Sequence, residues 1–203
     1  MSGDRITTVA QLEALYGAPA QPSVIKETDR LTPAYRALIE ASPFVVLASA
    51  GAQGLDCSPR GDAAGFVRVA DENTLLLPDR RGNNRIDTLR NIVVDPRVAL
   101  LVMVPGHGET LRINGRAEIS IAPDLLESFA VDGKSPRSLL VITIERVYFQ
   151  CARALMRSGL WNAAPANSRL PSAGEMLRQA SGSKFDAVTY DAGLTSRQKS
   201  TLY

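Results

Sequence analysis

An antiparallel β-barrel with helices at its edges is the fold class this sequence predicts. Three observations carry the prediction. Six or seven short stretches between residues 44 and 149 read as strands. Most of them are joined by short turns. One helix, at 83–94, crosses between them, where an alternating βαβ sheet would need a helix after every strand.

The elements follow in chain order. Thr7 or Thr8 caps a first helix through Tyr16, with Val9, Leu12 and Leu15 on one face and Gly17 as its stop. Thr32-Pro33 opens a second, because Pro suits the first helical position. Tyr35, Leu38 and Ile39 form its apolar face, and it ends before Pro43. The hydrophobic period then changes. Phe44 to Ala48 is a short apolar run, and Ser49 to Gly54 is turn-rich. Leu55 to Arg60 and Gly65 to Ala70 are the next strands, the latter with Phe66, Val67 and Val69. Asp71-Glu72-Asn73 turns the chain into Thr74 to Leu77. Asn83 to Val94 fits a helix with Ile86, Leu89 and Val93 on one side, ended by Asp95-Pro96. Arg97 to Val104 is a strand, Gly106-His107-Gly108 a turn, Thr110 to Ile121 a strand and Pro123 to Ala130 a short helix. Leu139 to Phe149 alternates and is a long strand. From Trp161, Pro165, Pro171, Gly174 and Gly182 mark an arm with one helix, Ala173 to Gln179, placed to reach a partner subunit.

Composition bounds the function. A chain of 203 residues with 45 % hydrophobic residues suits one domain with terminal additions. A net charge of +2 gives bulk electrostatics no hold on nucleic acid. Of the 23 Lys and Arg, 19 are Arg, whose rigid fork of donors suits phosphate; a bias of the genome toward Arg explains the excess equally well. Two cysteines, Cys57 and Cys151, without CxxC spacing argue against a disulfide framework or structural zinc, and Cys57 reads as a small buried thiol. The single histidine, His107, argues against a multi-histidine metal site. Residues Met1–Ala10 lack an apolar signal core, and no apolar run approaches the ~20 residues of a membrane span. The expectation is a soluble cytoplasmic protein.

Three clusters carry chemistry. Ser58-Pro59-Arg60-Gly61-Asp62 ends a strand: its small residues let a ligand approach backbone donors, and Arg60 can meet an anion. The same residues also make an ordinary turn with a solvated Arg. Pro78-Asp79-Arg80-Arg81-Gly82-Asn83-Asn84-Arg85 runs from a strand into a helix, where free N–H groups and the helix dipole favour a phosphate. Arg85 and Asn84 complete such a cradle. In Gly108 to Glu118, Arg112, Asn114 and Arg116 alternate with apolar residues and share one strand face, either over a polar ring edge or toward solvent. Other patterns are missing. There is no GxGxxG and no GxSxG, and Gly133-Lys134-Ser135 lacks the earlier glycine of a phosphate loop.

The segments SPRGDAAGFVRV, NTLLLPDRRGNNRIDTLRNIVVDPRVALLVMVPG, ETLRINGRAEI and CARALMRSGLW, taken in order, resemble the pyridoxamine 5'-phosphate oxidase-like proteins, and among them a branch of FMN-dependent flavoproteins. The resemblance spans about residues 30 to 178. It implies a six-stranded antiparallel split β-barrel of Greek-key topology with peripheral helices, and a homodimer with two FMN sites, each built from both chains. It implies that Arg80, Asn84 and Arg85, with Pro78 and Asp79 before them, bind the flavin phosphate. Ser58, Pro59, Arg60 and Gly61 would line the isoalloxazine. Arg112 and Asn114 would flank the flavin from the partner, and Trp161 would lie near the partner's site. The domains implied are an N-terminal helical extension (1–30), the FMN-binding barrel (31–160) and a C-terminal arm on the barrel or the dimer partner (161–203). The function implied is an FMN-dependent oxidoreductase on a small organic substrate, with electrons exchanged with a nicotinamide cofactor or oxygen. A non-catalytic flavin-, F420- or haem-binding protein of the same fold is the alternative. The RxxLLK pattern and the Arg-x-His of authentic pyridoxamine phosphate oxidases are not found, and Gln150 and Arg153 stand where close relatives often have His and Lys. No side chain is assigned as the catalytic acid or base.

Overall fold

The computed structural model describes residues 5–52, 54–162 and 170–203. Three helices lead. α1 (Val9–Tyr16) opens on Thr8, whose side chain accepts from the Gln11 N–H while the Gln11 side chain bonds back to the Thr8 backbone. α2 (Gln21–Ile25) follows, and α3 (Pro33–Glu40) starts with Thr32 accepting from the Tyr35 N–H. β1 (Phe44–Gly51) and β2 (Gly54–Gly61) pair as a hairpin, as do β3 (Arg68–Val69) and β4 (Thr74–Asp79). α4 (Asp87–Val94) crosses to β5 (Arg97–Met103), β6 (Thr110–Ser120), α5 (Pro123–Ser128) and β7 (Ser138–Gln150). α6 (Arg153–Ser158), a 3₁₀ turn at Leu160–Asn162, α7 (Ala173–Ala180) and α8 (Ala187–Ser200) complete the order. Among the described residues, no helix is long and apolar enough to cross a membrane.

All seven strands form one antiparallel sheet in the order β2-β1-β5-β6-β7-β4-β3. Strand periodicity decides its two faces. Val45, Leu47, Leu100, Ile113, Ile142 and Leu75 point to one side and join a single core, with Ile39 of α3 and Ile92 of α4 packed into it. Each fully buried side chain of this size contributes roughly 1.5–3 kcal/mol. The other side carries rows set by the register. Pro59, Val46, Leu101, Arg112 and Tyr148 lie side by side across five strands, and Cys57, Ala48, Ala99, Asn114 and Arg146 form the next row.

Several expectations need correction. The sheet has seven strands, not six, and no ladder joins its edges β2 and β3 among the described residues. The strand expected over 65–70 shrinks to Arg68–Val69, because Phe66 and Val67 are drawn out of the ladder into the core and Gly65 takes φ 86°. The crossing helix begins at Asp87 rather than Asn83, because Asn84 (φ 60°) and Ile86 (φ 53°) bend the backbone left-handed. Its buried side is Thr88 and Ile92; Ile86 and Val93 are exposed. The stretch 49–54, expected to be turn-rich, is strand at 49–51 and again from Gly54. Cys57 is exposed on the outer row, since its neighbours Ser58 and Asp56 take the inward positions. α2, α6 and α8 were not anticipated: α2 and α6 are short, and none of the three buries a residue, so none carries a strong apolar stripe.

Candidate functional site

β2 and β4 end side by side, and the loop after β4 climbs into α4 beside them. Between these three segments lies a cleft of about 450 Å³. Nine of the twelve residues expected at a cofactor site line it. Ser58, Pro59, Arg60 and Gly61 come from β2; Pro78, Asp79 and Arg80 come from the end of β4; Asn84 and Arg85 come from the loop.

Arg60 is held in place by hydroxyls. Its Nη1 donates to Ser58 Oγ at 2.8 Å and its Nη2 to Thr88 Oγ1 at 3.2 Å. The buried Thr88 hydroxyl in turn donates to Asp56 Oδ2. One nearby carboxylate therefore balances the guanidinium through an intervening hydroxyl rather than by a direct pair.

The loop bends sharply. Asn84 (φ 60°) and Ile86 (φ 53°) are left-handed on either side of Arg85, whose N–H donates to Asn83 Oδ1 at 3.1 Å. No side chain caps α4, and Asp87, Thr88 and Leu89 of its first turn line the cleft. Asp87 puts a negative charge at the same end, and Arg85 Nε offsets it from 2.8 Å. That pair is largely exposed and so weak enough to rearrange around a ligand. Arg137 Nη1 donates to Asn84 Oδ1 at 3.2 Å and brings a further cation to the rim. Burial pushes the Asp79 carboxyl above its ordinary range, and Arg60 and Arg137 pull it part of the way back.

At the floor, Arg80 is already engaged. Its Nε lies 2.7 Å from Asp62 Oδ2, and its Nη1 donates to the Phe129 carbonyl at 2.8 Å. Tyr203 donates its hydroxyl to Asp62 Oδ1 at 2.7 Å, and its ring centre lies 5.4 Å from the Arg80 guanidinium.

Three expected residues lie elsewhere in the chain. Arg112 and Asn114 occupy the outer face, where Arg112 stacks 5.0 Å from the Tyr148 ring. Trp161 donates from Nε1 to the His107 carbonyl at 2.7 Å. Sequence reasoning missed Thr88 and Arg137. Thr88 is a buried hydroxyl inside a helical period, and Arg137 reaches the cleft only because Asp79 pairs with Ser138 across β4 and β7. No local pattern signals either.

The family described as pyridoxamine 5'-phosphate oxidase matches residues 31–151. The chain belongs to this family. The matched span runs from Leu31, just before α3, to the end of β7 and takes in every strand of the sheet and every residue that lines the cleft. No curated protein matches the chain. Among solved structures it is similar to HupZ of Group A Streptococcus, with 20 % identity, a TM-score of 0.49 and 60 % of this chain aligned to 94 % of that one. It is also similar to General Stress Protein 26 of Bacillus anthracis, with 15 % identity, a TM-score of 0.44 and coverage of 56 % and 88 %. A Clostridium acetobutylicum protein related to general stress protein 26, of the pyridoxinephosphate oxidase family, is similar at 16 % identity and a TM-score of 0.43, with coverage of 57 % and 84 %.

Proposed function

We propose that this chain is an FMN-dependent oxidoreductase acting on a small organic substrate, with the flavin held between two copies of the chain. The observation that carries the reading is the convergence of the β2 end and the β4-to-α4 loop on one cleft. Its volume lies within the range of cofactor pockets. Its donor set suits a phosphorylated ring system: the uncapped start of α4 with Arg85, Asn84 and Arg137 for the phosphate, and β2 backbone with Arg60 beside the ring. When bound, the flavin supplies the redox chemistry through its ring. The chain positions it. Ser58 and Thr88 fix the Arg60 fork, so that positive charge stands at a set place without reorganising.

The rest of the site is assigned to a second copy. Arg112 and Asn114 face outward beside Val46, Ala48, Ala99 and Leu101, a flat patch of small apolar residues that suits pairing with its own equivalent. Pairing there carries these two residues, and Trp161, toward the neighbouring cleft.

The test is the visible absorbance spectrum of the purified protein, followed by mass analysis of the released ligand. Yellow protein releasing one FMN per chain is expected. Arg60→Ala and Arg85→Ala should each weaken FMN binding about tenfold. Colourless protein that takes up no added FMN would overturn the reading.

A further inference from the structure

Asp62 directly follows β2, and Arg80 directly follows β4. In the sheet, β1, β5, β6 and β7 separate these two strands. No ladder connects them, yet their ends form the two walls of the cleft. Among the described residues, the ion pair that spans the gap is Arg80 Nε to Asp62 Oδ2 at 2.7 Å, whose side chains are only 16 % and 4 % exposed. A pair this sheltered holds its partners far more firmly than a surface pair does.

Tyr203 completes that pair. Asp62 Oδ1 accepts from the Tyr203 hydroxyl at 2.7 Å and from the Ala63 N–H at 2.8 Å, so both carboxylate oxygens are occupied. The phenol ring lies against the guanidinium, and Arg80 is tied on its far side to the Phe129 carbonyl. The fork therefore has no freedom to swing into the cleft or out of it. Tyr203 stands 141 residues from Asp62 and outside the span matched by the family, so this contact is an addition of the arm to the shared fold.

We infer that Tyr203 is a positioning residue of the cleft: through Asp62 and Arg80 it clamps the ends of β2 and β4 at the spacing the cofactor needs. The identity of the occupant rests on the FMN reading above; the clamp is testable without it.

The experiment is backbone hydrogen exchange on the full chain free of cofactor, together with FMN titration, in the wild type, Tyr203→Phe and Tyr203→Ala. Leu202→Ala, at an exposed neighbouring position, serves as control. Tyr203→Ala should speed exchange at residues 60–62 and 79–86 about tenfold and raise the FMN dissociation constant by a similar factor. Tyr203→Phe keeps the ring over Arg80 and should fall between it and the wild type. Exchange in β1 and β5, and the behaviour of Leu202→Ala, should not change. Unchanged exchange at the strand ends, or acceleration spread evenly over the sheet, would overturn the inference. If the wild type binds no FMN while Tyr203→Ala still loosens the strand ends, the cofactor reading falls and the clamp stands. If the wild type binds FMN and Tyr203→Ala retains it equally well, the clamp has no part in the site.

Discussion

Ile86 holds φ 53° and ψ 23° at the entrance to α4, a conformation that costs a β-branched residue about 1–3 kcal/mol. Its side chain is 47 % exposed, so little packing returns that cost. The bend instead sets Asn84, Arg85 and Ile86 into the lining of the cleft. Ile86→Gly should therefore raise stability by about 1 kcal/mol in urea unfolding while keeping the loop geometry. Asp62 makes the second argument at this scale. Burial pushes its carboxyl up, but bonds from Tyr203, the Ala63 N–H and Arg80 outweigh burial and leave it below its ordinary value. A carboxyl lowered in the fold stabilises above its unfolded pKa, about 3.9, and that contribution is lost as pH falls toward the folded value. Asp62→Asn should cost about 2 kcal/mol at pH 7, and the gap to the wild type should narrow below about pH 4. Urea unfolding of both proteins at pH 7 and pH 3 checks this. The cleft positions of Arg60 and Arg85 were legible in the sequence because each sits in a dense local cluster, Arg60 with Gly61 and Asp62 and Arg85 with Gly82, Asn83 and Asn84. Arg137 was not, since only the pairing of β4 with β7 brings it near.

The longest ladder, between β6 and β7, breaks register at Asn114/Gly115. A Cβ added at Gly115 would lie 2.1 Å from the Thr143 carbonyl oxygen and 3.3 Å from Ile144 Cα, both backbone of the facing strand. Gly115→Ala should cost on the order of 3 kcal/mol, seen as a drop in melting temperature, because neither neighbour can move without unzipping the pair. The long strands were readable from alternation alone, and β6 and β7 lie within a residue or two of expectation. The misses share a physical cause. β3 and the start of α4 are set by what the core and the cleft demand of the backbone, and α8 by capping: Asp186 accepts from the Thr189 N–H at 3.1 Å. None of these leaves a hydrophobic period to read.

For the whole molecule, one curled sheet does two tasks with two faces. The inner face fills itself with aliphatic side chains and closes under α3 and α4. The outer face keeps Ala48 and Ala99 side by side at its centre, small enough for another flat surface to approach. On the pairing proposed above, Ala99→Arg should give a monomer where the wild type gives a dimer in light scattering and should lower FMN content with it, since Arg112 and Asn114 would no longer reach a second cleft. Retention of both dimer and flavin would place the interface elsewhere.

Pro59 lies in β2, an edge strand, and a proline presents no N–H to a newcomer. At the opposite edge β3 offers only two residues to pair with. The sheet is thus terminated at both ends against templated growth, and a residue expected at the flavin doubles as a guard against fibre-like stacking. Pro59→Thr restores a full row of donors on an eight-residue edge and should make refolding mixtures scatter light at concentrations where the wild type stays clear.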